Sequence, residues 1–171
     1  RGKVHIARYY FNRGAYVESL ARLEAAAALF SETGRQLELG TVYNSLGRLY
    51  RAHGRVDAAL DYQLKALAIH EKTSSPFNHL QSLNAVATTY QTMKDYAKSR
   101  VYFEQALALA DRAGSPRVRD QLRAGLASSL AAAGDYQQAA TILEGVIARK
   151  LDAFPRVRLR DRHGVVHPVD Q

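Results

Sequence analysis

The stretch that decides the fold is "YNSLGRLYRAHGRVDAALDYQLKALAIHEK", residues 43–72. Moving forty residues along the chain gives "LNAVATTYQTMKDYAKSRVYFEQALALADR" at 83–112, and another forty give "RAGLASSLAAAGDYQQAATILEGVIARK" at 123–150. Moving back forty from the first gives "KVHIARYYFNRGAYVESLARLEAAAALF" at 3–30. A fixed period of this kind predicts a repeat architecture, in which each unit buries its apolar face against its neighbours.

Small, aromatic and turn-forming residues recur in the same positions of each repeat, forty residues apart. These columns are Ala7, Gly47, Ala87 and Ala127; Tyr10, Tyr50, Tyr90 and Leu130; Gly14, Gly54, Lys94 and Gly134; Ser19, Ala59, Ser99 and Ala139; and Ala26, Ala66, Ala106 and Val146. So many matching columns without an insertion indicate four copies of one unit.

Each unit has the pattern of two helices, because apolar residues between the turn columns recur at intervals of three and four. Glycine in the Gly54 column is suited to end the first helix, and the Ser-Pro pairs at 75–76 and 115–116 are suited to start the next unit. The predicted helices are 3–13, 15–33, 36–53, 55–73, 76–93, 95–113, 116–133 and 135–151. The sequence therefore predicts an all-α, right-handed α-solenoid over residues 1–151, with units of about 1–34, 35–74, 75–114 and 115–151.

The column of Gly47 is small in all four units, which indicates a close approach between helices. A glycine inside a helix costs about 1 kcal/mol relative to alanine, and close packing would offset that cost. We therefore expect Gly47→Leu to overpack the interface. Because the equivalent residues are alanines, we expect Gly47→Ala to be tolerated.

These columns resemble the tetratricopeptide repeat. The residues that carry the likeness are Tyr43, Leu46, Gly47, Tyr50, Gly54, Ala59, Ala66, Tyr90, Asp95, Tyr96, Phe103, Ala106, Gly134, Asp135, Tyr136 and Ala139. The usual period of the family is 34 residues, so a period of forty implies longer helices, similar to those of the kinesin-light-chain class and of bacterial regulators. The fourth unit departs further, with Leu130 and Arg123 at positions where the pattern has Tyr and a bulky apolar residue.

The resemblance implies that the first helix of each unit lines a concave face, where a partner would bind. The side chains that the core does not use on these helices are the candidate site. They are Arg8 in unit one, with His5 and Asn12; Thr41, Asn44, Ser45, Arg48 and Arg51 in unit two; Gln81, Asn84, Thr88 and Gln91 in unit three; and Gln121, Gly125 and Ser128 in unit four.

Asn44 and Asn84 share one column, and stacked carboxamides could hold the main chain of an extended peptide without demanding a sequence. The alternative is that asparagine only tolerates a solvated helix face. Arg8, Arg48 and Arg51 make one end of the groove positive, which favours an acidic segment or a C-terminal carboxylate.

Composition and motifs give no indication of catalysis. There is no cysteine and no apolar run long enough to span a membrane, and the net charge is +8. Phosphate-binding loops, dinucleotide-binding fingerprints and nucleophile elbows are missing. His70, in "HEK" at 70–72, is expected to cap the surface end of a helix, and His53 is expected to bond the end of its own helix. Asp161, His163 and His167 form too loose a cluster to predict a metal site.

The basic C-terminal extension, 152–171, departs from the repeat. Its segment "RVRLRDRHGVVHPVD" alternates arginine with apolar residues, which is typical of a β-hairpin with a turn at 161–164. It is interpreted as a cover for the open end of the stack or as the start of another domain. A basic arm for nucleic acid is the disfavoured alternative.

Together these patterns predict a scaffold or sensor module without catalytic activity, metal or cofactor, within a larger cytoplasmic regulatory or signalling protein. Its expected partner is a protein or an extended, acidic peptide, with no membrane partner. Self-association of a regulator through apolar residues of the end units is the alternative function, followed by nucleic-acid binding through the tail.

Overall fold

A computed structural model of the 171-residue chain describes the backbone of residues 2–73, 75–113 and 116–153, and the side chains of 14–73, 75–112 and 116–151. These ranges hold seven α-helices and no strand. The helices are α1 (Gly2–Glu32), α2 (Gln36–Ala52), α3 (Val56–Lys72), α4 (Pro76–Thr92), α5 (Tyr96–Ala113), α6 (Pro116–Ala132) and α7 (Tyr136–Ala153). The predicted tail hairpin lies outside the described residues.

The forty-residue period of the sequence is also the period of the structure. The first helices of units two, three and four begin at Gln36, Pro76 and Pro116, forty residues apart. Proline stands at the start of α4, as predicted, whereas the hydroxyl of the preceding Ser75 makes no capping hydrogen bond. The chain forms a right-handed α-solenoid in which each helix packs against the next.

The turns between paired helices use the predicted column. Gly54, Lys94 and Gly134 have φ values of 77°, 63° and 93°, in the left-handed region that ends many helices. The amide of the following residue then donates to a carbonyl five residues earlier, as in the bond from the Arg55 amide to the Tyr50 carbonyl oxygen at 3.0 Å. Because Lys94 lacks the freedom of glycine, its backbone is strained there.

Unit one differs from the prediction, because one continuous helix, α1, replaces the predicted pair 3–13 and 15–33. Gly14 lies inside α1 and does not form a turn. In units three and four an aspartate follows the turn, and Asp95 and Asp135 accept hydrogen bonds from the amides of Lys98 and Gln138. Ala15, in the same column, cannot cap a helix in this way. Arg55 of unit two makes no side-chain cap either, yet the chain turns at Gly54, so the missing aspartate alone does not account for the continuous helix of unit one.

Tyrosines pack between the two helices of units two and three in an equivalent way. The rings of Tyr50 and Tyr62 are stacked with centroids 5.4 Å apart, and those of Tyr90 and Tyr102, forty residues later, are stacked at 5.5 Å. In units two and three the tyrosine column therefore packs between the two helices of one unit.

The apolar core consists of two clusters separated by a buried polar layer. One cluster joins α1, α2 and α3 around Leu46, and the other joins mainly α4 to α7 around Phe103. Between them α3 and α4 meet through the polar side chains of Gln63, His70, Ser82 and Thr89, each at most 1% exposed. We call these four residues the polar layer.

Gly47 lies at the predicted close approach, but the space is tighter than its column indicates. A Cβ on Gly47 would lie 2.5 Å from Cγ of Gln63 and 2.9 Å from the carbonyl oxygen of Ala59. Gln63 is fully buried, and its Oε1 accepts a hydrogen bond from Thr89 at 2.6 Å. The structure therefore predicts a cost for Gly47→Ala, contrary to the expectation that it is tolerated. Gln63 stands in the column that holds Phe103 in unit three.

Candidate functional site

The first helices of units two to four, α2, α4 and α6, together line a groove. We use the name groove for the cavity of about 370 Å³ that these helices line. Its lining residues are Arg48 and Arg51 of α2; Phe77, Leu80, Gln81, Asn84, Ala85 and Thr88 of α4; and Val118, Gln121 and Leu122 of α6. It holds six of the predicted site residues, because an interval of three or four residues along each helix keeps side chains on one face.

A smaller cavity of about 140 Å³ adjoins the groove and shares Arg48, Gln81 and Ala85 with it. The other residues that line it are Thr41, Asn44, Ser45, His70 and Asn78. The structure thus brings the predicted residues Thr41, Asn44 and Ser45 to the same side of the array as the groove.

Three of the predicted residues with described side chains line neither cavity. Gln91 and Ser128 bind each other across α4 and α6, with Nε2 of Gln91 donating to the Ser128 hydroxyl oxygen at 2.9 Å. Gly125 faces the core instead, because a Cβ added to it would lie 2.6 Å from the Phe103 ring. The side chains of His5, Arg8 and Asn12 lie outside the described residues.

Positive charge is concentrated at the α2 end of the groove. Arg48 is exposed and Arg51 is half-buried, and the residues that line the groove include no Asp or Glu. The ion pairs found among the described side chains join other residues, such as Arg22 with Glu18 and Arg149 with Asp120. An anionic group in the groove would therefore meet two guanidinium groups without competition from a neighbouring carboxylate.

Apolar side chains also line the groove, and the predicted site residues did not include them. Phe77, in the first turn of α4, is 65% exposed, and Val118 of α6 lies beside the same cavity. The column of Phe77 could have identified this surface in the sequence. Leu37, forty residues earlier, is also an apolar residue in the first turn of its helix and is 38% exposed.

Asn44 and Asn84 occupy the same column but have different surroundings. Nδ2 of Asn44 donates to the Ser82 hydroxyl oxygen at 2.7 Å, whereas Asn84 lines the groove. Oδ1 of Asn44 is buried and has no hydrogen-bond partner among the described residues. The amide of Asn44 therefore contributes to the packing of α2 against α4, and the two asparagines do not form equivalent steps of a ladder.

His70 belongs to the same chain of hydrogen bonds, which corrects its predicted role as a surface cap. It is 1% exposed, with Nδ1 2.7 Å from the Ser82 hydroxyl oxygen and Nε2 3.4 Å from the Leu37 carbonyl oxygen. Since Asn44 donates to Ser82, the hydroxyl can donate to Nδ1 of a neutral imidazole. Burial lowers the pKa of His70 and the nearby His79 lowers it further, while the Leu37 carbonyl acts in the opposite direction.

His53 bonds the end of its own helix as predicted, through its backbone amide, which donates to the Tyr50 carbonyl oxygen at 3.1 Å. Its ring in addition packs against Tyr16 of α1, with centroids 3.9 Å apart. The contact joins the end of α2 to α1, so it belongs to the fold.

Other kinds of site find no support in the described part of the chain. No group of three or more potential metal ligands occurs among these residues. None of the described helices is long and apolar enough to cross a membrane. The cluster of Asp161, His163 and His167 lies outside the described residues.

Comparisons with known proteins agree with this geometry. A family model described as tetratricopeptide repeat matches residues 2–72 and 78–151. Among solved structures, BtubC (BKLC) from P. vanneervenii is similar with a TM-score of 0.76 at 20% identity, covering 97% of this chain and 68% of that one. A comparison with curated proteins found no match.

Two further structures extend the likeness. A kinesin-light-chain-like protein of Podosopora anserina with nearly identical TPR-like repeats has a TM-score of 0.74 at 25% identity, with 91% of this chain and 77% of that chain covered. Aspartyl phosphate phosphatase F from Bacillus subtilis has a TM-score of 0.70 at 17% identity, with 85% and 40% covered. Identities this low show a shared fold.

Proposed function

The chain belongs to the tetratricopeptide-repeat family, and on that premise we propose that it is a non-catalytic interaction module whose groove binds an extended protein segment. Domains of this family bind proteins or peptides. The observation that carries the proposal is the groove itself, in which two arginines, several carboxamides and an apolar wall face one cavity. Arginine and exposed aromatic residues are the types that contribute most to binding energy at protein interfaces.

We infer that the segment carries at least one acidic group. Arg48 and Arg51 lie three positions apart on α2, and both line the groove. The residues that line the groove include no Asp or Glu. A guanidinium can bind a carboxylate through two parallel hydrogen bonds. Gln81, Asn84 and Gln121 would then bind main-chain groups, since a carboxamide both donates and accepts.

The experiment starts from a random-peptide display library selected on the wild-type chain. We expect the selected peptides to be enriched in Asp and Glu and to lose binding to the variant Arg48→Glu/Arg51→Glu. The matched control is Lys72→Glu/Arg112→Glu, which makes the same change in net charge at exposed positions on α3 and α5. Equal loss in both variants, or binding retained by both, would overturn the assignment of the groove.

Self-association is a second candidate function, favoured by the exposed apolar stripe of α7. Tyr136, Leu143, Ile147 and Leu151 are 72%, 41%, 56% and 67% exposed. Leu143 and Ile147 share columns with Phe103 and Leu107, which pack into the core of the array. We infer that a second copy covers this stripe. Light scattering over a concentration series should then show a dimer that Leu143→Lys/Ile147→Lys converts to a monomer, and a wild-type monomer at all concentrations would contradict it.

The setting within a larger cytoplasmic regulatory or signalling protein is part of the same proposal. The full-length sequence tests it, because the neighbouring domains would show which process the array serves.

A further inference from the structure

We propose that the smaller cavity beside the groove is a binding site for a small carboxylate compound, and that protonation of His70 switches this site on. The switch is a chain of hydrogen bonds that joins His70, Ser82 and Asn44. The proposal does not rest on the proposed function, because the smaller cavity would bind a carboxylate whether or not the groove holds a protein segment.

The smaller cavity has a lining that suits a carboxylate. Its volume is about 140 Å³, and seven of the eight described residues that line it have polar side chains. Arg48 supplies a guanidinium group, and the lining includes no Asp or Glu. A guanidinium can bind a carboxylate through two hydrogen bonds, and the hydroxyls and carboxamides around it can donate to the remaining lone pairs.

The packing of the helices makes room for an imidazole at the wall of this cavity. A Cβ on Gly40 would lie 2.5 Å from Nε2 of His70, so a larger residue there would displace the ring. In unit three the same two columns hold Leu80 and Ala110, and both are buried. The fold therefore does not require a histidine here, because a pair of apolar residues serves in the next unit.

With His70 neutral, the hydrogen bonds run from Asn44 towards the imidazole. Nδ2 of Asn44 donates to the Ser82 hydroxyl oxygen at 2.7 Å, and the hydroxyl donates to Nδ1 of His70, also at 2.7 Å. Nε2 carries the ring proton and lies 3.4 Å from the Leu37 carbonyl oxygen. Oδ1 of Asn44 is buried and has no partner among the described residues. The unpaired atom of this amide is thus an acceptor, which would repel a carboxylate.

Protonation of His70 reverses the direction of these bonds. A proton from solvent binds Nδ1, so the ring donates to the Ser82 oxygen and the hydroxyl must donate elsewhere. A half-turn of the Asn44 amide about its Cβ–Cγ bond exchanges Oδ1 and Nδ2, and Oδ1 then accepts the hydrogen bond of the hydroxyl. The unpaired atom becomes Nδ2, a donor that is costly to leave without a partner. A carboxylate oxygen satisfies it while Arg48 binds the same group.

Protonation of His70 and binding of a carboxylate therefore favour each other. The charged and titratable side chains beside His70 are Arg48 of α2, His79 of α4, and Glu71 and Lys72 of its own helix. Burial lowers the pKa of His70 and His79 lowers it further, while the Leu37 carbonyl acts in the opposite direction. A bound carboxylate adds a negative charge beside the ring and so raises this pKa. By linkage, protonation strengthens the binding by the same factor.

Nuclear magnetic resonance of the His70 ring tests the proposal, with sodium formate as the probe. The ring C–H signals, assigned with His70→Gln, are followed from about pH 8 to 5 in formate and in chloride of equal ionic strength. Formate stays ionised over this range, because carboxyl groups have a pKa of about 4. We expect formate to raise the pKa of His70 and to bind about tenfold more tightly at the acidic end of the range than at the alkaline end.

Ser82→Ala removes the hydroxyl that joins His70 to Asn44 and leaves Arg48 in place. We expect this variant to lose most of the pH dependence of formate binding, as should His70→Gln. The matched control is His79→Gln, which removes a histidine outside the chain of hydrogen bonds and should keep the pH dependence. Circular dichroism at both ends of the range checks that each variant is folded. A pKa of His70 that formate does not change would overturn the proposal, as would a folded Ser82→Ala variant with the pH dependence of the wild type.

Discussion

Replacement of Gly47 by alanine tests whether the helices of unit two approach as closely as the structure indicates. The new methyl carbon would lie 2.5 Å from Cγ of Gln63 and 2.9 Å from the Ala59 carbonyl oxygen. One of these neighbours must move, and the carbonyl belongs to the backbone of α3. Gln63 is fully buried and bound to Thr89, so its displacement disturbs the polar layer.

The expected change in the free energy of unfolding is the balance of one gain and two costs. Alanine gains about 1 kcal/mol over glycine in helix propensity, whereas overpacking of a well-packed interface costs about 1–3 kcal/mol. The lost or distorted bond between Gln63 and Thr89 costs about 1 kcal/mol more. We therefore expect Gly47→Ala to lower the free energy of unfolding by roughly 1–3 kcal/mol and the melting temperature by about 2–12 °C.

Chemical and thermal unfolding followed by circular dichroism measure this change. A double-mutant cycle with Gln63→Ala identifies its cause, because the shorter side chain leaves room for the methyl group. We expect Gly47→Ala to be less destabilising in the Gln63→Ala background by about 1 kcal/mol. A Gly47→Ala variant as stable as the wild type, or the same cost in both backgrounds, would refute the close contact.

Three further variants test other parts of the fold by the same unfolding measurements. Phe103→Ala should cost about 3–5 kcal/mol because the ring is 2% exposed, whereas the control Val101→Ala, at a residue 49% exposed, should cost under about 0.5 kcal/mol. His70→Gln should flatten the dependence of stability on pH. The pKa of His70 is lowered in the folded state, so its contribution is complete above an unfolded pKa of about 6.5 and is lost as pH falls toward the folded pKa. An unchanged slope between about pH 7.5 and 5 would contradict this role. Lys94→Gly should stabilise the chain by roughly 0.5–1 kcal/mol, because Lys94 has a φ of 63°, and a loss of stability would contradict the strain.

The architecture could be predicted from the sequence because it depends on residues repeated at a fixed spacing. Gly54, Lys94 and Gly134 mark three turns, and Pro76 and Pro116 begin two helices, as their columns indicate. The prediction fails in unit one, where Gly14 stands in the turn column but α1 is continuous through it. The column alone does not decide this, because Arg55 follows the turn of unit two without a side-chain cap.

The polar layer could not be predicted, because it depends on pairs of residues that differ between units. Gln63 and His70 stand in columns that hold Phe103 and Ala110 one unit later. Their burial follows from partners on α4, Thr89 and Ser82, which no periodic pattern identifies.

The same reason explains Asn44 within the candidate site. Its column predicts a side chain directed to the groove, but Ser82 on the next helix accepts a hydrogen bond from its amide. Four groove residues line a common cavity as their spacing indicates: Arg48, Arg51, Gln81 and Asn84. Among the residues that the structure describes, none of these four is bonded to the side chain of a neighbouring first helix as Asn44 is. Their part in binding stays a prediction.

The salt dependence of peptide binding tests the central claim most directly. The probe is the tightest peptide selected on the wild-type chain, titrated by calorimetry against the wild type and Arg48→Gln/Arg51→Gln at low and high salt. Salt screens charge pairs near the surface, so we predict that wild-type affinity falls steeply with salt. Affinity of the variant should be weaker by tenfold or more at low salt, about 1.4 kcal/mol, and nearly independent of salt. Equal affinities and equal salt slopes for the two proteins would contradict binding of an acidic segment in the groove.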